Sequence, residues 1–203
     1  MKVFEIFESL QGEGLWSGAP MTFVRLAGCN APEQRLACVR WCDTPESRSP
    51  AAGMEMTAEQ VEAAVRLPRV CITGGEPLLQ AEELVELAGR LRSRGRRVHL
   101  ETNGVLDLPP ELELDWVTVS PKPPAYEVSD SLGARMDELK LVVDEDFSLS
   151  AADDLHRRFP DAVFFLQPES GAGLASVRRA VDLVLQRPAW RLSVQLHKTL
   201  GLP

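Results

Sequence analysis

Short apolar runs alternate along this chain with stretches in which apolar residues recur at helical spacing. The runs have the length of β-strands and lie at 2–7, 22–26, 69–73, 98–101, 116–120, 138–143, 163–167 and 190–195. Helical spacing is found at 81–94, 150–159 and 174–186, and a capping-box pattern at 57–60 begins a further helix. Apolar strands that alternate with helices are typical of a parallel sheet with both faces covered.

The first two strands bracket a Gln-Gly-Glu-Gly segment at 11–14, whose glycines permit a tight turn, and they predict an N-terminal β-hairpin. The later six strands are too few to close an eight-stranded barrel. We therefore expect an α/β fold: a partial, open TIM-like barrel of about six parallel strands with few helices and an N-terminal β-hairpin extension. A chain of 203 residues with 44% hydrophobic content can bury one substantial core, so we expect a single domain over 1–203.

Polar segments follow most of the later strands, and the carboxyl ends of parallel strands share one rim. These segments are Thr-Gly-Gly-Glu-Pro at 73–77, Glu-Thr-Asn-Gly at 101–104, Ser-Pro-Lys at 120–122, Gln-Pro-Glu-Ser at 167–170 and Gln-Leu-His-Lys at 195–198. A single polar segment is compatible with an ordinary loop. Because parallel α/β folds build their active sites at this rim, the five segments together indicate a functional site.

Composition limits the classes of function that the chain can have. The formal net charge of −8 at pH 7 argues against a protein that covers nucleic-acid phosphate, and it favours a small-molecule substrate. No long apolar run indicates a membrane span, and the chain begins with a strand-like segment in place of a signal peptide. We therefore expect a cytoplasmic protein without nucleic-acid or membrane partners, whose thiols stay reduced.

Three of the four cysteines, Cys29, Cys38 and Cys42, lie within fourteen residues of one another. Three thiolates can hold a [4Fe–4S] cluster and leave its fourth iron open to a small molecule. A structural zinc normally takes four protein ligands, and no histidine lies nearby in the sequence. A [4Fe–4S] cluster agrees best with the number of cysteines. A zinc site and redox-active or incidental thiols are the alternatives. Cys71 lies inside a predicted strand and is interpreted as a small buried hydrophobe.

The cysteines are followed about thirty residues later by a strand and Gly-Gly-Glu-Pro, an order that resembles the radical S-adenosylmethionine (SAM) superfamily. Further motifs are Gln-Gly-Glu-Gly at 11–14, Phe-Val-Arg-Leu-Ala-Gly-Cys-Asn at 23–30, Trp-Cys-Asp-Thr at 41–44, Glu-Thr-Asn-Gly at 101–104, Ser-Pro-Lys at 120–122 and Gln-Leu-His-Lys at 195–198. This ordered set resembles the 7-carboxy-7-deazaguanine synthase family over essentially the whole chain.

The cysteine spacing departs from the superfamily pattern. The usual Cys-x3-Cys-x2-Cys is replaced here by gaps of eight and three residues. A longer first gap costs little entropy where a loop or short helix bulges out. The second gap changes how the thiolates of Cys38 and Cys42 meet a cluster, so the ligand role of Cys38 is the one that the spacing puts in question.

The resemblance implies a lyase that binds a [4Fe–4S] cluster, SAM and Mg²⁺. It implies that one electron from an external flavodoxin-like or ferredoxin-like donor cleaves SAM, and that the radical produced removes hydrogen from 6-carboxy-5,6,7,8-tetrahydropterin. Ring contraction with loss of ammonia then gives 7-carboxy-7-deazaguanine, as in 7-deazapurine (queuosine-type) biosynthesis. A homodimer is also expected from the resemblance.

The resemblance further assigns roles to individual residues. The cluster ligands are Cys29, Cys38 and Cys42, and the magnesium ligand is Thr44. The SAM-binding residues are Trp41, Asp43, Gly74, Gly75, Glu76, Ser120, Lys122 and Gln167. The substrate-binding residues are Leu10, Gln11, Gly12, Glu13, Arg25, Thr73, Glu101, Asn103, His197 and Pro203, the last through the C-terminal carboxylate. No protein acid or base is assigned, although His197 is a candidate.

Several of these assignments have a second interpretation. Arg25 lies in an apolar strand, where its guanidinium needs an anionic partner: the substrate carboxylate, or an internal salt bridge with Glu13 or Glu101. Trp41 can be a packed core residue, and a lone histidine such as His197 is often structural. For the whole protein, the alternatives are a radical SAM activating enzyme that acts on a partner protein and a non-catalytic, zinc-stabilised domain.

Overall fold

The computed structural model describes residues 1–203 as nine strands and six α-helices. The strands are β1 (Lys2–Leu10), β2 (Pro20–Leu26), β3 (Met54–Glu55), β4 (Arg69–Gly74), β5 (Arg97–Thr102), β6 (Trp116–Val119), β7 (Glu138–Val143), β8 (Val163–Pro168) and β9 (Arg191–Leu192). The helices are α1 (Ala58–Ala64), α2 (Ala81–Ser93), α3 (Asp130–Gly133), α4 (Leu149–Arg158), α5 (Gly173–Gln186) and α6 (Leu196–Leu200).

All nine strands form one open sheet in the order β3-β1-β2-β4-β5-β6-β7-β8-β9. Strands β2 and β4 to β9 run parallel to one another, while β1 pairs antiparallel with β2 and β3. The expected open α/β sheet with an N-terminal hairpin is confirmed. However, β2 also continues the parallel part, which therefore has seven strands in place of about six. The long connection from β2 to β4 permits this, because parallel neighbours need a crossover of roughly a dozen or more residues.

The predicted helices at 81–94, 150–159 and 174–186 correspond to α2, α4 and α5. The predicted capping box is present at the start of α1. Thr57 Oγ1 accepts a hydrogen bond from Gln60 N (3.2 Å), and Gln60 Oε1 accepts one from Thr57 N (2.9 Å). Two otherwise unpaired N–H groups are thereby satisfied at the helix N-terminus.

The last predicted strand, 190–195, is much shorter in the structure. Ser193 N still donates to Leu166 O of β8 (2.8 Å), but β9 itself ends at Leu192. Beyond it, Gln195 Nε2 donates to the carboxylate of Glu13 (2.7 Å) and α6 begins. The polar side chains after Leu192 therefore bond to the rim of the sheet in place of extending the strand.

Alternation along the strands separates an apolar face of the sheet from a polar one. In β7, Leu139 and Leu141 belong to the main apolar core, whereas Glu138 and Lys140 line the opposite side. The other central strands place Ile72, Leu100, Val117 and Leu166 in the core, and they place Cys71, Thr73, His99, Glu101, Thr118 and Gln167 on the polar side. The strands therefore carry the core and the candidate site on opposite faces.

The apolar face is covered by helices, of which α2 contributes the fully buried Leu84, Leu87 and Leu91. The three leucines recur at helical spacing and so lie on one side of α2. None of the helices combines the length and the apolar character that a membrane span requires. The helix layer thus serves to bury the core and leaves the polar side of the sheet open.

We expect Leu87→Ala to lower the free energy of unfolding by about 2–5 kcal/mol, because it removes buried methyl groups and leaves a cavity. Leu185→Ala, at a position that is 75% exposed on α5, is the matched control and should change stability by less than ~0.5 kcal/mol. Urea unfolding followed by circular dichroism measures both variants. Equal stabilities of the two variants would contradict the assignment of α2 to the core.

Candidate active site

A cavity of about 490 Å³ lies on the polar side of the sheet and includes the carboxyl ends of several parallel strands. This volume is in the range of pockets that bind small molecules and cofactors. Its lining includes nearly every residue that the sequence resemblance assigned. These are Leu10, Gln11, Gly12, Glu13, Arg25, Cys29, Cys38, Trp41, Cys42, Asp43, Thr44, Thr73, Gly74, Gly75, Glu101, Asn103, Ser120, Lys122, Gln167, His197 and Pro203. Glu76 alone among the assigned residues lies outside the lining.

The three clustered cysteines are free thiols that line this cavity together. The chain makes an exposed turn at 32–35 after Cys29 and then a 3₁₀ helix, Ala37–Arg40, that carries Cys38. The eight-residue gap is thus accommodated as a bulge, and Cys38 returns to the cavity. Cys71 is fully buried in β4, as its sequence context suggested.

Burial raises the pKa of Cys29 to about 11, and the nearby Glu76, Cys38 and Cys42 act in the same direction against a backbone hydrogen bond from Ala31. The pKa of Cys38 is raised for the same first reason, burial. Protein groups alone therefore do not stabilise these thiolates. A bound metal centre would supply the missing positive charge.

The number of cysteines in the cavity bears on which metal centre they could hold. No three histidine, cysteine, aspartate or glutamate side chains of the chain are grouped as ligands of one ion would be. In an iron–sulfur cubane each cysteine binds a different iron atom, so the thiolates stay apart while they face one cavity. Three cysteines that line one cavity agree with the ligand count of a cubane with one open iron, whereas a structural zinc normally takes four protein ligands.

The glycine turn after β4 lies directly against the first cysteine. A Cβ atom on Gly75 would come within 2.0 Å of the carbonyl oxygen of Gly28 and 3.0 Å of Cys29 Cβ. Gly74 has φ +139°, a conformation that side chains rarely adopt. Only glycines permit this approach, which exposes backbone beside the cysteine that is to hold the cluster.

Glu76 anchors the same turn from behind. Its carboxylate is fully buried and accepts hydrogen bonds from Thr102 Oγ1 (2.8 Å), Asn103 N (2.8 Å) and Leu78 N (3.1 Å). Burial raises its pKa, although these hydrogen bonds oppose the effect. The side chain thus ties the glycine turn to the end of β5 and does not face the cavity.

Glu13 is held in the cavity wall by three side chains from three different elements. Lys140 forms an ion pair with Glu13 Oε2, while Gln167 Nε2 (2.9 Å) and Gln195 Nε2 (2.7 Å) donate to Oε1. Burial alone would raise the pKa of Glu13, but the charge of Lys140 and the three hydrogen bonds outweigh burial and lower the pKa to about 2. Glu13 is therefore a carboxylate at neutral pH.

Glu101 is a second carboxylate in the cavity, and neutral groups hold it. Gln11 Nε2 donates to its Oε1 (3.0 Å) and Thr73 Oγ1 donates to its Oε2 (2.9 Å). A carboxylate has about four lone-pair positions, so both oxygens can accept further hydrogen bonds. Glu101 can thus receive N–H groups of a ligand.

Arg25 pairs with a residue that the sequence interpretation did not name. Its Nε donates to Glu5 Oε1 (2.7 Å), and the two residues are direct cross-strand partners in β1 and β2. The alternative prediction, a salt bridge of Arg25 with Glu13 or Glu101, is therefore wrong. The pairing uses only Nε, and the terminal nitrogens of Arg25 make no hydrogen bond within the chain.

The C-terminal segment covers part of the cavity through polar contacts. The ring of His197 lies where a Cβ on Gly12 would be, with Nδ1 2.0 Å from that position. Lys198 pairs with Asp43 (3.2 Å), and Ser9 Oγ donates to a terminal oxygen of Pro203 (3.2 Å). This segment therefore joins residues assigned to SAM with residues assigned to the substrate.

Trp41 and Lys122 occupy the part of the lining that lies near the cysteine loop. Trp41 Nε1 donates to Asp144 Oδ2 (2.8 Å), so the indole is fixed by the loop after β7. Lys122 Nζ lies 6.0 Å from the centre of the Trp41 ring and donates to Ser120. These contacts orient both side chains before any ligand binds.

Sequence reasoning missed several members of this site. The missed residues that line the cavity include Phe7, Phe23, Lys140, Gln195 and Lys198. Of these, Lys140 could have been found from the sequence, because it lies at the centre of an apolar strand and a buried ammonium requires a partner. Gln195 and Lys198 lie in the Gln-Leu-His-Lys segment at 195–198, in which the resemblance assigns a role to His197 alone.

Comparisons with known proteins agree with this geometry. The model of the radical SAM superfamily matches residues 29–165. The 7-carboxy-7-deazaguanine synthase of Methanospirillum hungatei is 41% identical over 100% of this chain and 86% of its own length. The synthase of Bacteroides thetaiotaomicron is 40% identical over 99% of this chain and 98% of its own length.

A solved structure gives the same result at the level of the fold. The crystal structure of QueE from Escherichia coli superimposes with a TM-score of 0.76 at 30% identity, covering 97% of this chain and 94% of that one. The chain is therefore a member of the radical SAM superfamily and, within it, of the 7-carboxy-7-deazaguanine synthase family.

Proposed function

We propose that this protein is a 7-carboxy-7-deazaguanine synthase, a lyase that contracts the ring of 6-carboxy-5,6,7,8-tetrahydropterin with loss of ammonia. The observation that carries the proposal is a single cavity lined both by Cys29, Cys38 and Cys42 and by the polar side chains of Gln11 and Glu101. The product is a precursor of queuosine-type 7-deazapurines. The function rests on the whole chain, 1–203, as one domain.

The three cysteines would hold a [4Fe–4S] cluster, and the backbone at Gly74 and Gly75 would lie along SAM beside it. Trp41, Asp43, Ser120, Lys122 and Gln167 line the cavity and would contact the rest of the cofactor. Together the cluster and SAM supply one-electron chemistry that removes a hydrogen atom, and the electron comes from an external flavodoxin-like or ferredoxin-like donor. The protein's part is to orient the two ligands and to exclude water.

Thr44 is proposed as the one protein ligand of Mg²⁺. Its hydroxyl lies 3.4 Å from Asp43 Oδ1 and lines the cavity. Magnesium prefers oxygen donors in an octahedron and keeps several waters or substrate oxygens. A single threonine oxygen would therefore be a sufficient protein contribution, with waters or substrate oxygens as the other ligands.

Arg25 is proposed to bind the substrate carboxylate. Glu5 occupies only its Nε, and the uncommitted terminal nitrogens can donate to a second carboxylate. Phe7 and Phe23 stack beside it with ring centres 5.1 Å apart and give the cavity an apolar wall. A carboxylated, flat heterocycle suits this combination of cation and aromatic surface.

The ring of the substrate is proposed to lie against the acceptors of the cavity. Glu101 and Glu13 can accept from the amino and ring N–H groups of a pterin, and Gln11, Thr73 and Asn103 lie beside them. The substrate side of the cavity would be completed by four further lining residues, Leu10, Gly12, His197 and Pro203. We also propose a homodimer as the assembly of this chain.

We expect Cys29→Ala, Cys38→Ala and Cys42→Ala each to abolish turnover of 6-carboxytetrahydropterin, because each removes a cluster ligand. Anaerobic reconstitution followed by iron analysis and visible absorption should show loss of most of the iron and of the brown colour. Cys71→Ala is the matched control and should retain the iron content and visible absorption of the unchanged protein, since Cys71 is buried away from the cysteine loop. Full turnover in all three variants would refute the proposal.

We expect Arg25→Met to raise the KM for 6-carboxytetrahydropterin roughly 10- to 100-fold, because a charge-assisted hydrogen bond contributes about 1.5–3 kcal/mol and about 1.4 kcal/mol corresponds to a factor of ten. Arg25→Lys should recover only part of the loss, since an ammonium lacks the planar fork.

The KM for SAM serves as the internal reference for Arg25 and should stay within about twofold of its original value. Glu5→Gln keeps an acceptor for Arg25 Nε and is the matched control, with little change in either KM. If Arg25→Met raised both KM values equally, the side chain would not be a specific ligand of the substrate carboxylate.

A further inference from the structure

Lys140 is a buried cation in the wall of the cavity that no motif of the family resemblance includes. It lies at the centre of β7, between two residues of the apolar core, and its side chain is 8% exposed. A lysine loses most of its hydration in such a place, and the loss must be compensated by an ionised and hydrogen-bonded partner. The partner in this structure is Glu13.

Several acidic side chains surround the ammonium of Lys140. Three carboxylates face it: Glu13 from the β1–β2 turn, Glu101 from β5 and Glu138 from its own strand. Burial alone would lower the pKa of Lys140, but these carboxylates, Glu13 foremost, raise it. Of the three carboxylates, the ammonium of Lys140 bonds directly only to Glu13.

Glu13 has two rotatable bonds beyond its Cβ, so it needs several contacts to stay in one place. Gln167 and Gln195 both donate to Oε1, and Lys140 is the one side chain that bonds to Oε2. Removal of the ammonium would free that oxygen and leave a buried carboxylate without a charge partner. The carboxylate would then turn toward water or take up a proton.

We propose that Lys140 is a positioning residue, whose ammonium fixes the Glu13 carboxylate at the cavity wall so that Glu13 can accept a hydrogen bond from the heterocyclic substrate. This role rests on the proposed function, because it requires that Glu13 contacts the pterin. Lys140 acts on the substrate side, because its ammonium bonds to Glu13 and to none of the residues assigned to SAM.

A double-mutant cycle tests whether Lys140 acts through Glu13. Lys140→Met, Glu13→Gln and the double variant are compared as reconstituted holoenzymes with SAM bound. The measured quantities are the Kd for oxidised 6-carboxypterin, used as a non-reacting probe, and kcat and KM for 6-carboxytetrahydropterin. We expect Lys140→Met to weaken binding of the probe at least tenfold in the unchanged background and by less than twofold in the Glu13→Gln background.

Two further measurements separate positioning from folding. The double variant removes both charges and should unfold at a higher urea concentration than Lys140→Met, which strands a buried carboxylate. Arg90→Met breaks a partly buried ion pair with Glu62 between α1 and α2, far from the cavity, and should leave the Kd unchanged. In Lys140→Met the KM for SAM should rise less than the KM for 6-carboxytetrahydropterin, since Lys140 bonds to Glu13 and to none of the residues assigned to SAM.

The outcomes are distinct. Equal losses from Lys140→Met in both backgrounds would show that Lys140 does not act through Glu13, and unchanged probe binding in Lys140→Met would show that it only supports folding; either result overturns the proposal. Failure of the unchanged protein to bind the probe or convert 6-carboxytetrahydropterin would overturn the proposed function, and the role of Lys140 with it.

Discussion

The strands of the parallel sheet carry both the apolar core and the candidate active site. The alternation of side chains along each strand is the constraint that makes this possible. One set of residues in β4 to β8 packs into the apolar core beneath the helices, and the intervening set faces a polar cavity. A shift of one residue in any strand would exchange the two sets. The register of the sheet therefore controls both the stability of the fold and the composition of the site.

The polar side chains that face the cavity are stabilised by ion pairs and hydrogen bonds with one another. Glu13 with Lys140, Arg25 with Glu5, and the hydrogen bonds at Glu101 each satisfy groups that would otherwise be costly to bury. Such pairs contribute little net stability, because desolvation offsets the attraction. Their value to the protein is placement: each holds a functional group in one orientation before a ligand arrives.

Much of this arrangement could be predicted from sequence because its motifs are local. The cysteines, the glycine turn and the rim segments follow from residue order, and strand ends that share a rim bring them together. Pairings across the sheet could not be predicted. The partner of Arg25 depends on the hairpin register, and the inward direction of Glu76 depends on the packing of β5 against the glycine turn. Lys140 belongs to no motif; its place in an apolar strand indicates that it needs a partner, but only the contacts of the folded chain identify that partner as Glu13.

The bulge after Cys29 is a segment in which a change of length should cost little free energy. Residues 32–35 are exposed, whereas Ala31 before them and Leu36 after them are buried and act as fixed ends. Added or deleted residues at the tip change only the entropy of a loop whose anchors stay in place. The peptide between these anchors is thus a natural attachment point, where a fluorescent label or an affinity handle would sit close to the metal centre without entering it.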